Sequence, residues 1–410
     1  MWYEKFKLDN GLQVVVHPDT STQQVVLNIL YNVGSKDENP DKTGFAHLFE
    51  HLMFGGSKNI KNFDEPLQKV GGENNAFTTP DYTNYYITIP KPNLETAFWL
   101  ESDRMLSLSF DPKVLEVQRK VVIEEFKQRY LNQPYGDVWL NLRPLAYHEH
   151  PYQWPTIGKN ISHIEQASME DVRSFFRKFY VPNNAILIIA GNVTTDEVRV
   201  MTEKWFGSIP PGEDYQRNLA VEPVQTTDRK MELSGDVPLN AIYKIYHMGD
   251  RLSKEYYASD LVSDILGRGK ASRLHDSLVR KKNLFTKINC HITGSVDPGL
   301  LVINGNLMDG ISHDEANSAI EHQIEELLNA DGLEHELAKV KTQTESSHYF
   351  SEMELLNRAI NLAYCTAIGD TELINRDLDN TLSVTEQNII ETTKKVLNKK
   401  NCSTLFYHKN

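Results

Sequence analysis

Two histidines four residues apart, with a glutamate directly before the second, are the residues of this chain best suited to chemistry: His47-Leu48-Phe49-Glu50-His51. On a helix, side chains at i and i+4 project from one face, so both imidazoles can reach a single Zn²⁺. Glu50, three residues after His47, lies close beside them and can reach a water at the metal. Leu48, Phe49, Leu52, Met53 and Phe54 make the same segment apolar on most sides, as in a largely buried helix. Buried imidazoles and carboxylates need partners, and a metal ion is one they can share.

A catalytic zinc takes three protein ligands and keeps a fourth position open. The segment Glu116–Glu125, EVQRKVVIEE, is helical in pattern and ends in two adjacent carboxylates. Neighbours on a helix point about 100° apart, so one of Glu124 and Glu125 can face the metal while the other turns away. Asn74-Asn75-Ala76-Phe77-Thr78-Thr79 follows Gly71-Gly72 and reads as a short strand. His148-Glu149-His150 is another pair of histidines, but it lies in a Pro-flanked loop without a third ligand. Leu266–Ser272, LGRGKAS, lacks the G-x-x-x-x-G-K-[ST] spacing of a phosphate loop and reads as a loop leading into a helix.

The elements that must position these residues alternate strands and helices. Phe6 and Leu8 flank Lys7, and Asp9-Asn10-Gly11 turns the chain into Leu12–Val16, a hairpin. A strand over Val25–Tyr31 and helices around 42–55, 60–71 and Pro112–Tyr130 follow. Gly207-Ser208-Ile209-Pro210-Pro211-Gly212 and the polar stretch to Thr227 read as a linker over 213–227, separating domains 1–212 and 228–410. The two sides look related. Ser168 starts a helix leading to the strand at Ala185, and Thr385 starts one leading to the strand at Cys402, both at an offset of 217 residues. That is the mark of an internal duplication, and the expected fold class is α+β with two similar domains.

At 410 residues the chain is long for one core. Its composition, 40% hydrophobic and 24% charged, is that of a folded globular protein rather than a disordered one. With 43 basic and 56 acidic residues, the net charge of −13 repels phosphate backbones and argues against nucleic acid. The longest clean apolar run, Ala185–Ala190, is far short of the roughly 20 residues of a membrane helix. Cys290, Cys365 and Cys402 form no C-x-x-C pair and fit a reducing compartment. Met1-Trp2-Tyr3-Glu4-Lys5 has no apolar leader core, so the expected location is the cytoplasm, or the periplasm where a leader has been removed.

Gly44–Ser57, GFAHLFEHLMFGGS, closely resembles the zinc motif of the pitrilysin/insulysin family of metallopeptidases, whose H-x-x-E-H order inverts the commoner zinc-protease spacing. The chain length is similar to that of the branch containing the mitochondrial processing peptidase subunits. The likeness extends through Gly71–Thr78, His150-Pro151-Tyr152 to Gly158, and Tyr180–Asn184 with Gly191-Asn192. It implies two homologous domains, each a mostly antiparallel sheet packed with helices. It also implies zinc held by His47, His51 and a distal Glu, which matching Arg119-Lys120-Val121-Val122 places at Glu125, with Glu124 the near miss. Glu50 would be the general base toward a zinc-bound water. Where the family often has another Glu seven residues earlier, this chain has Gln118. The family's edge strand that pairs with substrate backbone corresponds to Asn75, Ala76, Phe77 and Thr78.

The implied function is that of a zinc-dependent metalloendopeptidase subunit acting on peptides or unfolded segments. A noncatalytic structural subunit of the same family is the alternative. Members place an Arg and, seven residues on, a Tyr in the second homologous half; aligned on Leu284, this chain has Val279 and Thr286 there, with Arg280 one place off. Since the family assembles four such domains per catalytic unit, the resemblance implies a heterodimer with a homologous chain carrying the Arg/Tyr pair, with a homodimer as the other arrangement.

Overall fold

Ala185–Gly191, AILIIAG, is buried at all seven positions, and a strand apolar on both sides needs a packed layer on each face of its sheet. It is the sixth strand of the chain, β6, in a computed structural model that describes all 410 residues.

The chain begins β1 (Glu4–Lys7), β2 (Gln13–Pro18), β3 (Gln24–Tyr31), α1 (Phe45–Leu52), α2 (Asp64–Lys69), β4 (Glu73–Thr78) and β5 (Thr83–Pro90). Then come α3 (Leu94–Leu106), α4 (Pro112–Phe126), α5 (Val138–Ala146), α6 (Ile161–Glu165), α7 (Met169–Phe179), β6 and α8 (Thr195–Phe206). The remainder opens with β7 (Arg229–Gly235), β8 (Ala241–His247), α9 (Lys254–Gly267), β9 (Phe285–Ile292) and β10 (Leu300–Leu307). It closes with α10 (His313–Leu328), α11 (Glu334–Glu352), α12 (Leu355–Ala367), α13 (Leu373–Leu382), α14 (Glu386–Val396) and β11 (Cys402–Lys409). No helix is long and apolar enough to cross a membrane.

The strands form a six-stranded sheet, β1-β2-β6-β3-β5-β4, and a five-stranded sheet, β7-β11-β8-β10-β9. Apart from the extra β1, the two orders are the same. Only β2 with β6 and β7 with β11 run parallel; every other neighbouring pair is antiparallel. The α+β class, with mostly antiparallel sheets packed against helices, is therefore observed. The duplication is visible in detail as well. The 217-residue offset also separates Val138 and Leu355, the first residues of α5 and α12. Ser168 and Thr385 each close a capping box, with Asp171 and Asn388, at the start of α7 and α14.

Contacts group the chain into two units: Met1–Gln128 with Trp154–Ala220 and Tyr349–Asn375, and Arg129–Gln153 with Val221–His348 and Arg376–Asn410. Where composition divides the chain once, over 213–227, the spatial grouping exchanges a segment each way. In the first unit Ala359, Leu362 and Ala363 of α12 pack on Val15, Val26 and Ile188 of the sheet. In the second, Val138, Leu142 and Ala146 of α5 pack on Ile245, Val302 and Leu405. Each sheet thus receives its second covering helix from the half of the chain that does not build it. Residues 213–227 hold neither helix nor strand, yet within the first unit Arg217 is fastened to Asp37 at 2.9 and 3.0 Å.

Candidate metal centre and active site

Helix α1 begins abruptly, at Gly44 with φ of 91°, a left-handed conformation that glycine adopts without penalty. Both oxygens of the Glu38 carboxyl accept from the helix start, from Gly44 N at 2.9 Å and Ala46 N at 2.8 Å. They satisfy donors that a helix N-terminus leaves open. Burial pushes the Glu38 carboxyl up to about 8, against the opposing pull of those backbone N–H groups. The apolar side of α1 is fixed by Phe49, whose ring stacks on Phe175 at 4.8 Å and Tyr180 at 5.1 Å. This anchoring leaves His47 and His51 edge to face, with ring centroids 4.9 Å apart.

Helix α4 starts with Pro112 in its first turn and the Asp111 side chain accepting from Lys113 N, and packs against α1. Near its C-terminal end, Glu125 Oε2 lies 3.6 Å from His47 Nε2 and 3.5 Å from His51 Nε2. One ligand atom from each of the three residues lies within 4.8 Å of the others. Ligands about 2.1 Å from a tetrahedral zinc are about 3.4 Å from one another, so the donor set fits zinc in both chemistry and spacing. Glu124, the neighbour, is largely exposed and pairs with Lys127 at 2.7 Å. The two carboxylates that helical spacing alone leaves as alternatives are thereby told apart in direction, with Glu125, the residue the family motif picks, facing the histidines.

Glu50 sits on the same turn as His51, and its Oε2 accepts from Thr78 Oγ1 at 2.6 Å. Burial pushes the nearby phenols of Tyr85 and Tyr180 up, keeping them neutral beside it. Thr78 ends β4, the edge strand of its sheet, paired on one side only, with Asn75 opposite Tyr86, Ala76 opposite Tyr85 and Phe77 opposite Asn84. The expected edge is present, and it reaches the candidate base through Thr78, a link the sequence did not reveal. The role of Glu38 was missed as well; its only sequence signal is an acid several residues before a helix start.

In the second unit, α9 follows β8 as α1 follows β3. The ends of α1 and α9, Leu52 and Gly267, are 215 residues apart; at that offset Val262, Ile265 and Leu266 stand where α1 has His47, Glu50 and His51. All three are buried in apolar core. Val279 packs against the same core, and Thr286 is exposed on β9 with its hydroxyl donated to Asn306 O. Arg280 pairs with Asp276. His148–His150 is engaged elsewhere: Glu222 accepts from all three backbone N–H groups, and His150 Nε2 faces Asp297 at 3.3 Å.

Residues 13–158 match the family described as Insulinase (Peptidase family M16), and residues 166–344 match the one described as Peptidase M16 inactive domain. The chain is 30% identical over 358 residues to the zinc protease PqqE of Helicobacter pylori, covering 86% of this chain and 80% of the relative. It is 27% identical over 210 residues to the mitochondrial-processing peptidase subunit beta of Saccharomyces cerevisiae, half of this chain and 45% of that one. The crystal structure of a protease from Helicobacter pylori superposes with a TM-score of 0.93 at 28% identity over 99% of both chains. With the family's two domains matched in order along one chain of about 400 residues, this protein belongs to the M16, or pitrilysin/insulysin, family of peptidases.

Proposed function

We propose that this chain is a zinc-dependent metalloendopeptidase subunit that hydrolyses peptides or unfolded segments, with zinc held by His47, His51 and Glu125. The observation that carries this reading is the convergence of those three donors beside the Glu50 carboxylate, which Thr78 holds by one oxygen. When bound, the metal supplies Lewis acidity that polarises a scissile carbonyl and acidifies water. The chain's own part is positioning and proton transfer. Glu50 takes a proton from the attacking water through Oε1 while Thr78 holds Oε2, and then returns that proton to the leaving amine. Glu38 and the Phe49 stack hold α1 in place. The open side of β4, from Asn75 to Thr78, pairs with the backbone of an extended substrate, giving affinity with modest sequence preference.

The unit is completed by a homologous partner chain carrying the Arg/Tyr pair. The support for this is that Val279 and Thr286 stand at those positions here and offer no cationic or phenolic donor to a developing oxyanion. The same two residues are what favour the second reading, a noncatalytic assembly subunit. Metal analysis combined with peptide hydrolysis, with and without such a partner, separates the readings. The proposal expects about one zinc per chain and turnover that rises on adding the partner. Metal without turnover in any combination would leave the assembly reading.

A further inference from the structure

The two copies of the fold treat one sheet face differently. In the first unit a row across three strands reads Val14, Leu187 and Ile29; all are fully buried, and α8 and α3 pack over this sheet. In the second unit the equivalent row reads Lys230, Thr404 and Lys244. Three apolar positions have become two lysines and a hydroxyl, beside a cavity of about 300 Å³ against α10. Lys244 is 3% exposed. Its ammonium donates to Asn317 Oδ1 at 2.5 Å and lies 3.3 Å from Glu321 Oε1. Taking an ammonium out of water is costly, and the first unit shows that the fold closes without one.

We infer that this cavity is a binding pocket for a small carboxylate with an apolar body, the size of a free amino acid or dipeptide, anchored on Lys244. The volume lies at the lower end for ligand sites, which suits a small molecule. Ile324, Leu328, Leu397 and Phe406 line it with apolar surface, while Lys230 and Lys399 add positive charge. Three acids, Asp228, Glu321 and Glu325, line the cavity with the three lysines, so its formal charge balances and the attraction is local to Lys244; Glu321 faces Lys244, and Asp228 faces Lys230 at 3.8 Å. A carboxylate entering the cavity therefore meets an ammonium already held in place by Asn317 and Glu321, the geometry of a charge-assisted hydrogen bond. The apolar lining distinguishes this occupant from a bare inorganic anion. The inference stands apart from the peptidase reading, since every lining residue belongs to the second unit.

Titration calorimetry on the full chain with leucine, N-acetyl-leucine and leucinamide tests it. Leucine and N-acetyl-leucine should bind one per chain, with leucinamide at least about tenfold weaker, the loss expected for a hydrogen bond between charged groups. Lys244→Met should weaken N-acetyl-leucine at least about tenfold. Leu328→Trp should fill the cavity and abolish binding while keeping Lys244, and it carries the test should Lys244→Met fail to fold. Equal binding of leucinamide, wild-type affinity in the folded variants, no heat at millimolar ligand, or binding lost with His47→Ala would each overturn the inference.

Discussion

Thr78 Oγ1 donates to Glu50 Oε2 at 2.6 Å, joining the end of the edge strand β4 to the helix that carries the two histidines. One hydroxyl thus couples the place where an extended chain can pair to the carboxylate that can move a proton. Thr78→Val preserves shape and removes the donor. It should lower kcat for peptide hydrolysis about tenfold, the scale of a hydrogen bond to a charged group, with zinc content unchanged. Loss of metal in parallel with activity would show that Thr78 supports the helix rather than the carboxylate.

Glu50→Gln separates binding from chemistry. The amide fills the same space and still accepts from Thr78, so zinc should remain near one per chain, while turnover falls by orders of magnitude through loss of the base. Metal analysis and initial rates on the same preparation read both quantities.

Glu125→Gln and Glu124→Gln form a matched pair on adjacent residues. Glu125 faces both imidazoles, whereas Glu124 faces Lys127 and solvent. The first change should lose metal affinity by at least about tenfold, and the second should leave it within a factor of two or so. Competition with a fluorescent chelator measures both; the opposite ranking would move the ligand by one residue.

Glu38 offers a pH test. Its folded carboxyl titrates at about 8 because it is buried, against an unfolded value of 4.5. Between those values the folded state binds more protons than the unfolded one, so this group's contribution to stability declines as pH rises through that window. Glu38→Gln removes that slope and adds a pH-independent cost from one lost acceptor. The melting temperature of the metal-free variant, relative to wild type, should therefore climb from about pH 5 to about pH 8. Parallel curves would place the Glu38 carboxyl in the ordinary range.

What the sequence by itself determined is what depends on local geometry. His47, Glu50 and His51 share a helical turn wherever that helix goes, because a 3.6-residue period follows from backbone dihedrals alone. The hairpin at Asp9-Asn10-Gly11 and the matched caps at Ser168 and Thr385 are local in the same sense. The helical pattern alone leaves Glu124 and Glu125 open and the family motif selects Glu125, but it is the packing of α4 on α1 that sets the rotation turning Glu125 toward the histidines. Only tertiary structure brought Thr78 to Glu50 across 28 residues of chain. It also sent α5 and α12 to cover sheets that their own halves of the chain do not build. An amphipathic helix records that it needs an apolar surface, and hydrophobic burial is non-directional, so nothing in its own residues specifies which surface that will be.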